Sequence, residues 1–288
     1  MTKNPQIRSF YHEPTFTWTH LAWDPETGTA VIIDPVLDYD QASGRTSMES
    51  SNILLDLVEA ESLSVGWILE THAHADHLTS AARLKHRLNA AVAIGAGIRS
   101  VQAHFRAVFN LPGDFPTDGT QFDRLVDDED RIPLGNLELR VLHTPGHTDD
   151  SMTYLIGDCA FIGDTLFAPD YGTARCDFPG GDARRLYRSI QRIYALGDET
   201  KLFLCHDYPA EGSAARPMTT VAEHRAANVH IRDGISEDQF VSMRDARDAC
   251  LDMPALILPS IQVNIRAGQL PPAESNGLVY LKIPVDAL

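Results

Sequence analysis

The chain has 288 residues, 43% of them hydrophobic, and its 24 Lys and Arg against 40 Asp and Glu give a formal net charge of −16. That length is enough for one large domain or two small ones with a substantial core. The acidic balance excludes general binding to nucleic acid or to an anionic membrane, which need a basic surface, but not an anionic small substrate met by a local group of arginines.

The amino-terminal residues Met1 to Arg8 lack the apolar core of a signal peptide, and no later run is long enough to span a bilayer, so a soluble cytoplasmic protein is expected. Cys159, Cys176, Cys205 and Cys250 are widely spaced and form no CxxC pair. Neither a disulfide framework nor a thiolate zinc site is therefore expected, and Cys159 and Cys205, in apolar runs, read as core residues.

In chain order, the pattern predicts strands over Ile7 to Tyr11, Thr15 to Ala22 and Ala30 to Ile33, an antiparallel meander with a turn at Asp24 to Gly28. Asp38 to Ser47 is polar and turn-rich and reads as a surface loop, followed by an amphipathic helix over Ser51 to Ala60. A buried strand over Val65 to Glu70 precedes a helix over Leu78 to Leu88, then a strand over Ala91 to Gly95 and a helix over Ile98 to Phe109. Leu111 to Thr120 is too rich in Gly and Pro for regular structure, and the acidic run Asp127 to Asp130 reads as a solvated turn. Gly135-Asn136 and Gly157-Asp158 mark two hairpins, joining Asp130 to Ile132 with Leu137 to Leu142 and Met152 to Ile156 with Cys159 to Ile162. A helix over Asp182 to Leu196, a strand over Lys201 to Cys205 and a helix over Val221 to Val229 follow.

The two halves thus repeat the same parts: strands, helix, strand. The expected fold is α/β (α+β), a four-layer αββα sandwich of two face-to-face sheets with helices outside. It is read as one domain over residues 1–288 with a carboxy-terminal extension from about residue 230.

The chemistry concentrates in Thr71-His72-Ala73-His74-Ala75-Asp76-His77, where four residues able to bind metal follow an apolar strand directly. A strand-to-helix loop holds such side chains on a rigid scaffold, and imidazoles with a carboxylate suit Zn, Fe, Ni or Cu. Three later segments fit it. In His143-Thr144-Pro145-Gly146-His147-Thr148 the Pro-Gly turn projects His147 from a strand end as a further ligand, whereas His143 reads as a strand-end residue. Asp158 and Asp164 both follow a glycine, but a strand of about five residues, roughly 17 Å, separates them, so Asp164 shares the end of His147 and Asp158 belongs to the turn. His206 ends the strand over Leu202 to Cys205 and is expected near the metal. His12, His20, His86, His104, His224 and His230 have no such context and read as structural.

Taken together, His72-Ala73-His74-Ala75-Asp76-His77, Thr144-Pro145-Gly146-His147-Thr148, Gly163-Asp164 and His206 resemble the ordered signature of the metallo-β-lactamase superfamily. Gly172-Thr173-Ala174-Arg175-Cys176-Asp177-Phe178, the helix with Leu186-Tyr187-Arg188-Ser189-Ile190, and Asn264-Ile265-Arg266-Ala267-Gly268 are similar to the persulfide dioxygenases, also called sulfur dioxygenases. The resemblance departs at Cys176, commonly threonine in that family, and in extra sequence at Asp38 to Ser47 and Leu111 to Thr120.

The resemblance implies a metallo-β-lactamase fold and one Fe(II) held by His72, His147 and Asp164, a set of two imidazoles and one carboxylate that leaves positions for O2 and substrate. His74, Asp76, His77 and His206 would then line the site or form the remains of a second metal site. The implied reaction is oxidation of glutathione persulfide with O2 and water to sulfite and glutathione. Arg175, either a contact for the glutathione carboxylate or a salt-bridge partner of Asp177, and Tyr208 are candidate substrate contacts. Cys176 either approaches the pocket or packs. The alternative is a glyoxalase II-like thioester hydrolase with two zinc ions sharing Asp164, one held by His72, His74 and His147 and the other by Asp76, His77 and His206. A non-catalytic scaffold on this fold would show eroded ligands, and none is eroded here. Expected partners are glutathione persulfide and O2, with neither nucleic acid nor membrane, and a homodimer or higher oligomer is left open.

Overall fold

Residues 4–210 and 212–286 are described by the computed structural model; Met1 to Lys3, the start of the terminal segment read above, lie outside them. The first half comprises β1 (Gln6–His12), β2 (Thr17–Trp23) and β3 (Thr29–Ile33), then β4 (Val36–Asp40), β5 (Arg45–Ser47) and α1 (Glu49–Ala60). β6 (Ser64–Leu69), β7 (Leu78–Thr79), α2 (Ala81–Leu88), β8 (Ala91–Gly95), α3 (Ile98–Val108) and β9 (Arg124–Val126) complete it. The second half has β10 (Arg131–Leu134), β11 (Leu137–His143), β12 (Met152–Ile156) and β13 (Cys159–Phe161), then α4 (Ala183–Tyr194), β14 (Lys201–Phe203) and β15 (Met218–Thr220). It ends in α5 (Val221–Ala227), α6 (Glu237–Asp248) and α7 (Ile257–Asn264).

Two six-stranded sheets result, ordered β1-β2-β3-β6-β8-β9 and β10-β11-β12-β13-β14-β15. The opening meander is antiparallel as expected, and β3, β6, β8 and β9 run parallel because a helix crosses over between each successive pair. Three hydrophobic layers hold the sandwich. Val31, Ile33, Leu69 and Ala93 of the first sheet meet Leu139, Val141, Tyr154 and Phe161 of the second. The outer face of the first sheet packs on α1, α2, α3 and α7, and that of the second on α4, α5 and α6. The αββα layering is the one read from the sequence.

Two stretches differ from expectation. Asp38 to Ser47 is not a loop: β4 and β5 pair as a hairpin that continues onto β7, its polarity fitting an exposed ribbon with Asp40 accepting from the turn residues Ala42 and Ser43. Leu78 lies in a strand and not in the helix, because Thr79 donates its backbone N–H to Asn264 at 2.9 Å and helix α2 begins only at Ala81. The tail beyond residue 230 contributes α6 and α7, and α7 is buried along nearly its whole length.

The topology gathers the chemistry at one edge. β3 and β6 run parallel in one sheet, and β11, β13 and β14 share a direction in the other. The segments following these five strands therefore carry Asp34, the 70–77 loop, His147, Asp164 and His206. No helix among the described residues is long and apolar enough to cross a membrane.

Candidate metal centre

The 70–77 loop is fixed from three sides before any ligand is considered. Asp34, just past β3, accepts from the Thr71 backbone at 2.7 Å and from the Thr71 hydroxyl at 2.9 Å. Asp150 accepts from the Ala73 backbone at 2.8 Å. Asn264 of α7 donates to the carbonyls of His74 and His77, each at 2.8 Å. A buried loop needs its backbone groups satisfied, and these three side chains do that.

Hydrogen bonding then sets the tautomer of three histidines. The single Thr71 hydroxyl proton goes to Asp34, so the hydroxyl oxygen accepts from His72 Nδ1–H at 3.1 Å and the lone pair of His72 lies on Nε2. His147 Nδ1–H donates to the Arg175 carbonyl at 2.8 Å, and His206 Nδ1–H donates to the Phe16 carbonyl at 3.1 Å. Each presents Nε2 inward, the outer-partner arrangement that orients metal-binding imidazoles. His147 reaches its place through Gly146, whose φ of 140° and contact with the Leu186 backbone at the start of α4 leave no room for a Cβ.

The inward atoms fall into two groups that share Asp164. His72 Nε2 and His147 Nε2 lie 3.8 and 3.6 Å from Asp164 Oδ2, and the ligand atoms of these three residues all lie within 4.8 Å of one another. His206 Nε2 lies 3.4 Å from Asp164 Oδ1 and 3.2 Å from Asp76 Oδ2, with His77 Nδ1 3.5 Å from Asp76 Oδ1, and these belong with His74 to a second cluster. His72 Nε2, His74 Nδ1, His77 Nε2, His206 Nε2 and Asp164 Oδ1 are all buried without a hydrogen-bond partner. Buried polar atoms are rarely left so, and their convergence at spacings that bonds of about 2.1 Å can bridge fits a metal ion.

Electrostatics separates the loop histidines. Burial, with His74 and His147 nearby, pushes His72 well below the ordinary histidine value, and burial with His74 brings His77 to about 4, so both are neutral lone-pair donors. Burial also opposes a charge on His74, but Asp34, 3.0 Å from its Nε2, and then Glu70 and Asp164 outweigh it and push His74 up to about 10. Burial and the neighbouring Asp34 raise Glu70 to about 8. Against burial, His206 and His77 hold Asp76 well below the usual carboxylate range. Cys205, beside Asp164, is pushed well above the ordinary thiol value by burial and that carboxylate, and stays a neutral core thiol.

Above the ligands opens a cavity of about 410 Å³. Asp76, His147 and Asp164 form its floor, and Phe16, Phe167, Tyr171 and Tyr208 form an aromatic wall, with Tyr208 stacked on Tyr171 at 4.5 Å. Three arginines line the remainder. Arg175 is gripped by both oxygens of Asp177 at 2.6 Å and by the Asp252 carbonyl, the salt-bridge role of the two considered for it. Arg244 is buried against Asp248 at 2.7 Å. Arg247 is the lining arginine with no side-chain partner among the described residues. Cys176 is buried in the core under α4 and α6, so packing is its role. His143 ends β11 and contacts the Asp149 carbonyl, and Asp158 sits at its hairpin, both as read.

The structure thus brings together His72, His74, Asp76, His77, His147, Asp164 and His206, with Arg175 and Tyr208 in the pocket wall. Sequence reasoning missed Asp34, Asp150, Asn264 as a clamp, and Arg247. Asp34 did leave a signal, an acidic residue interrupting an apolar strand just before proline; Arg247 left none.

A sequence profile described as the metallo-beta-lactamase superfamily matches residues 13–206. The chain belongs to the metallo-beta-lactamase superfamily. It is 51% identical to a probable metallo-hydrolase of Burkholderia pseudomallei over 98% of this chain and 99% of that one, and 46% identical to glyoxylase B2 of Dictyostelium discoideum over 100% and 99%. It is 30% identical to the mitochondrial persulfide dioxygenase ETHE1 of Bos taurus, covering 93% of this chain and 91% of the relative. The crystal structure of ETHE1 from Myxococcus xanthus superposes with a TM-score of 0.72 at 31% identity, over 92% of this chain and 100% of that one. The resemblance to persulfide dioxygenases therefore holds along the chain, which is an enzyme of the superfamily.

Proposed function

We propose that this enzyme is a glutathione-dependent persulfide dioxygenase using one Fe(II). Glutathione persulfide, O2 and water give glutathione, sulfite and two protons; the sulfur–sulfur bond breaks, the outer sulfur is oxidised and O2 is reduced. A ferrous ion on His72, His147 and Asp164 would supply the one-electron chemistry that joins O2 to sulfur. The chain's own contribution is positional. Thr71 and the Arg175 carbonyl aim the Nε2 atoms of His72 and His147, and the aromatic wall with Tyr208 lies along the peptide arm and excludes water. Arg247 meets a glutathione carboxylate at the rim, in place of Arg175, whose guanidinium is engaged by Asp177.

The observation that carries this reading is the triad of two imidazoles and one carboxylate beneath an arginine-rimmed pocket, in a chain like a persulfide dioxygenase structure over 92% of its length. A glyoxalase II-like hydrolase of glutathione thioesters is the second reading, favoured by the partnerless inward atoms of His74, His77 and His206 and by the 46% identical Dictyostelium relative. The test sets O2 uptake with glutathione persulfide beside hydrolysis of lactoyl-glutathione by the same preparation. Uptake with sulfite release and negligible hydrolysis is expected; hydrolysis without uptake contradicts the proposal.

A further inference from the structure

We propose that a second, small apolar cavity behind Phe178 is a holding site for dioxygen, a role that rests on the dioxygenase reading above. The cavity measures about 20 Å³ and lies between the metal loop, at Ala73 and Ala75, and the helices α3 and α7, at Val101, Ile257 and Ile261. A small molecule fits, since a cavity admits a single water from about 10–15 Å³ upward.

Its chemistry selects the occupant. The polar groups at its edge are already engaged: the Ala73 N–H with Asp150, His147 Nδ1 with the Arg175 carbonyl, and the Thr148 hydroxyl with Ser151 at 2.6 Å. A water there would find few of the two to four polar partners that hold buried water, whereas apolar chambers take apolar guests such as xenon. A diatomic apolar gas has the matching size and polarity.

Its position gives the site a use. Ala75, His147 and Phe178 line both this cavity and the 410 Å³ pocket. Phe178 stands edge-on to His147, ring centroids 5.3 Å apart, with the Arg175 guanidinium 5.0 Å from its ring centre. The anionic thiol substrate and the gas thus approach the His147 side of the centre through separate chambers, one wide and lined in part by arginines, the other apolar and narrow. O2 delivered from behind Phe178 does not compete with a bound substrate filling the front pocket.

Xenon is the probe, read by anomalous scattering from pressurised crystals, together with KM for O2 at saturating glutathione persulfide. The wild type should show a xenon peak touching Val101 and Phe178. Val101→Phe, which fills the chamber, should remove that peak and raise KM for O2 several-fold while leaving KM for the persulfide within about twofold. Should that variant not fold, Val101→Ala enlarges the chamber and should raise xenon occupancy without raising KM for O2. Absence of xenon from the wild type, an unchanged KM for O2 in Val101→Phe, or an unchanged xenon occupancy in Val101→Ala overturns the proposal. A wild type that binds xenon but consumes no O2 with persulfide overturns the functional reading, and the oxygen role with it, by a result distinct from these.

Discussion

The two groups of ligand atoms share Asp164 and a loop of the chain, yet their surroundings differ. His147 and Asp164 form pocket floor beside Asp76 of the second group, so an ion held by them with His72 would face incoming substrate. His74, His77 and His206 are completely or almost completely enclosed, with His74 drawn 3.0 Å from Asp34 and His206 drawn 3.2 Å from Asp76. His74, drawn by Asp34 to its charged form, must give up a proton before it can bind a metal, whereas His72, His147 and His206 are each tied on Nδ1 to a neutral oxygen with Nε2 turned inward. The partners of each imidazole, more than the number of histidines, set the two groups apart.

The largest expected effect comes from removing a ligand of the pocket-facing group. His147→Ala should abolish bound iron and lower activity by more than about 100-fold, beyond what loss of an outer partner costs, while far-ultraviolet circular dichroism stays unchanged. Full retention of iron would end the assignment. Next, Asn264→Ala removes two donors from the loop carbonyls and leaves the Thr79 N–H unpaired. It should weaken metal affinity about 10- to 100-fold and destabilise the fold by about 2–3 kcal/mol, measured by competition with a chelator and by urea unfolding.

Asp76→Asn separates the two groups directly. It should leave bound iron close to the wild-type amount and lower persulfide oxidation by less than about tenfold, below the range for loss of a partner that orients a ligand; loss of half the metal would join the two groups into one binuclear centre. His224 supplies the contrast. It is fully buried, yet its Nδ1 accepts from the Asn228 amide and its Nε2–H donates to Thr219, so it carries no unmatched nitrogen. His224→Gln should leave metal content unaltered. Burial lowers its pKa to about 4, so the folded state binds its proton more weakly than the unfolded chain. Its contribution is present above the ordinary histidine value and is lost as pH falls towards 4, by up to about 3 kcal/mol. His224→Gln should flatten that part of the stability profile in urea titrations at stepped pH.

Most ligands could be read from the chain because each stands at a strand end, marked by a switch from apolar run to polar turn. The αββα order was legible for the same reason: strands and crossover helices alternate in both halves. The outer partners were not, since Asp34 reaches Thr71 and Asn264 reaches His74 across 37 and 190 residues of sequence, and no local pattern encodes such a meeting. The hairpin was hidden by its polarity: Val36 and Leu37 at its start are buried, but from Asp38 to Ser47 the ribbon is exposed or half-buried and has no buried face to impose alternation. Arg175 has Asp177 two residues away, a pairing legible in the sequence, whereas Arg247 reaches the pocket from α6, which tertiary packing decides.

The central claim, that one ion on the pocket-facing group performs the chemistry, is tested most directly by elemental analysis of protein purified without added metal. One iron per chain, with zinc well below one, is the predicted result. Two zinc ions per chain would contradict the account.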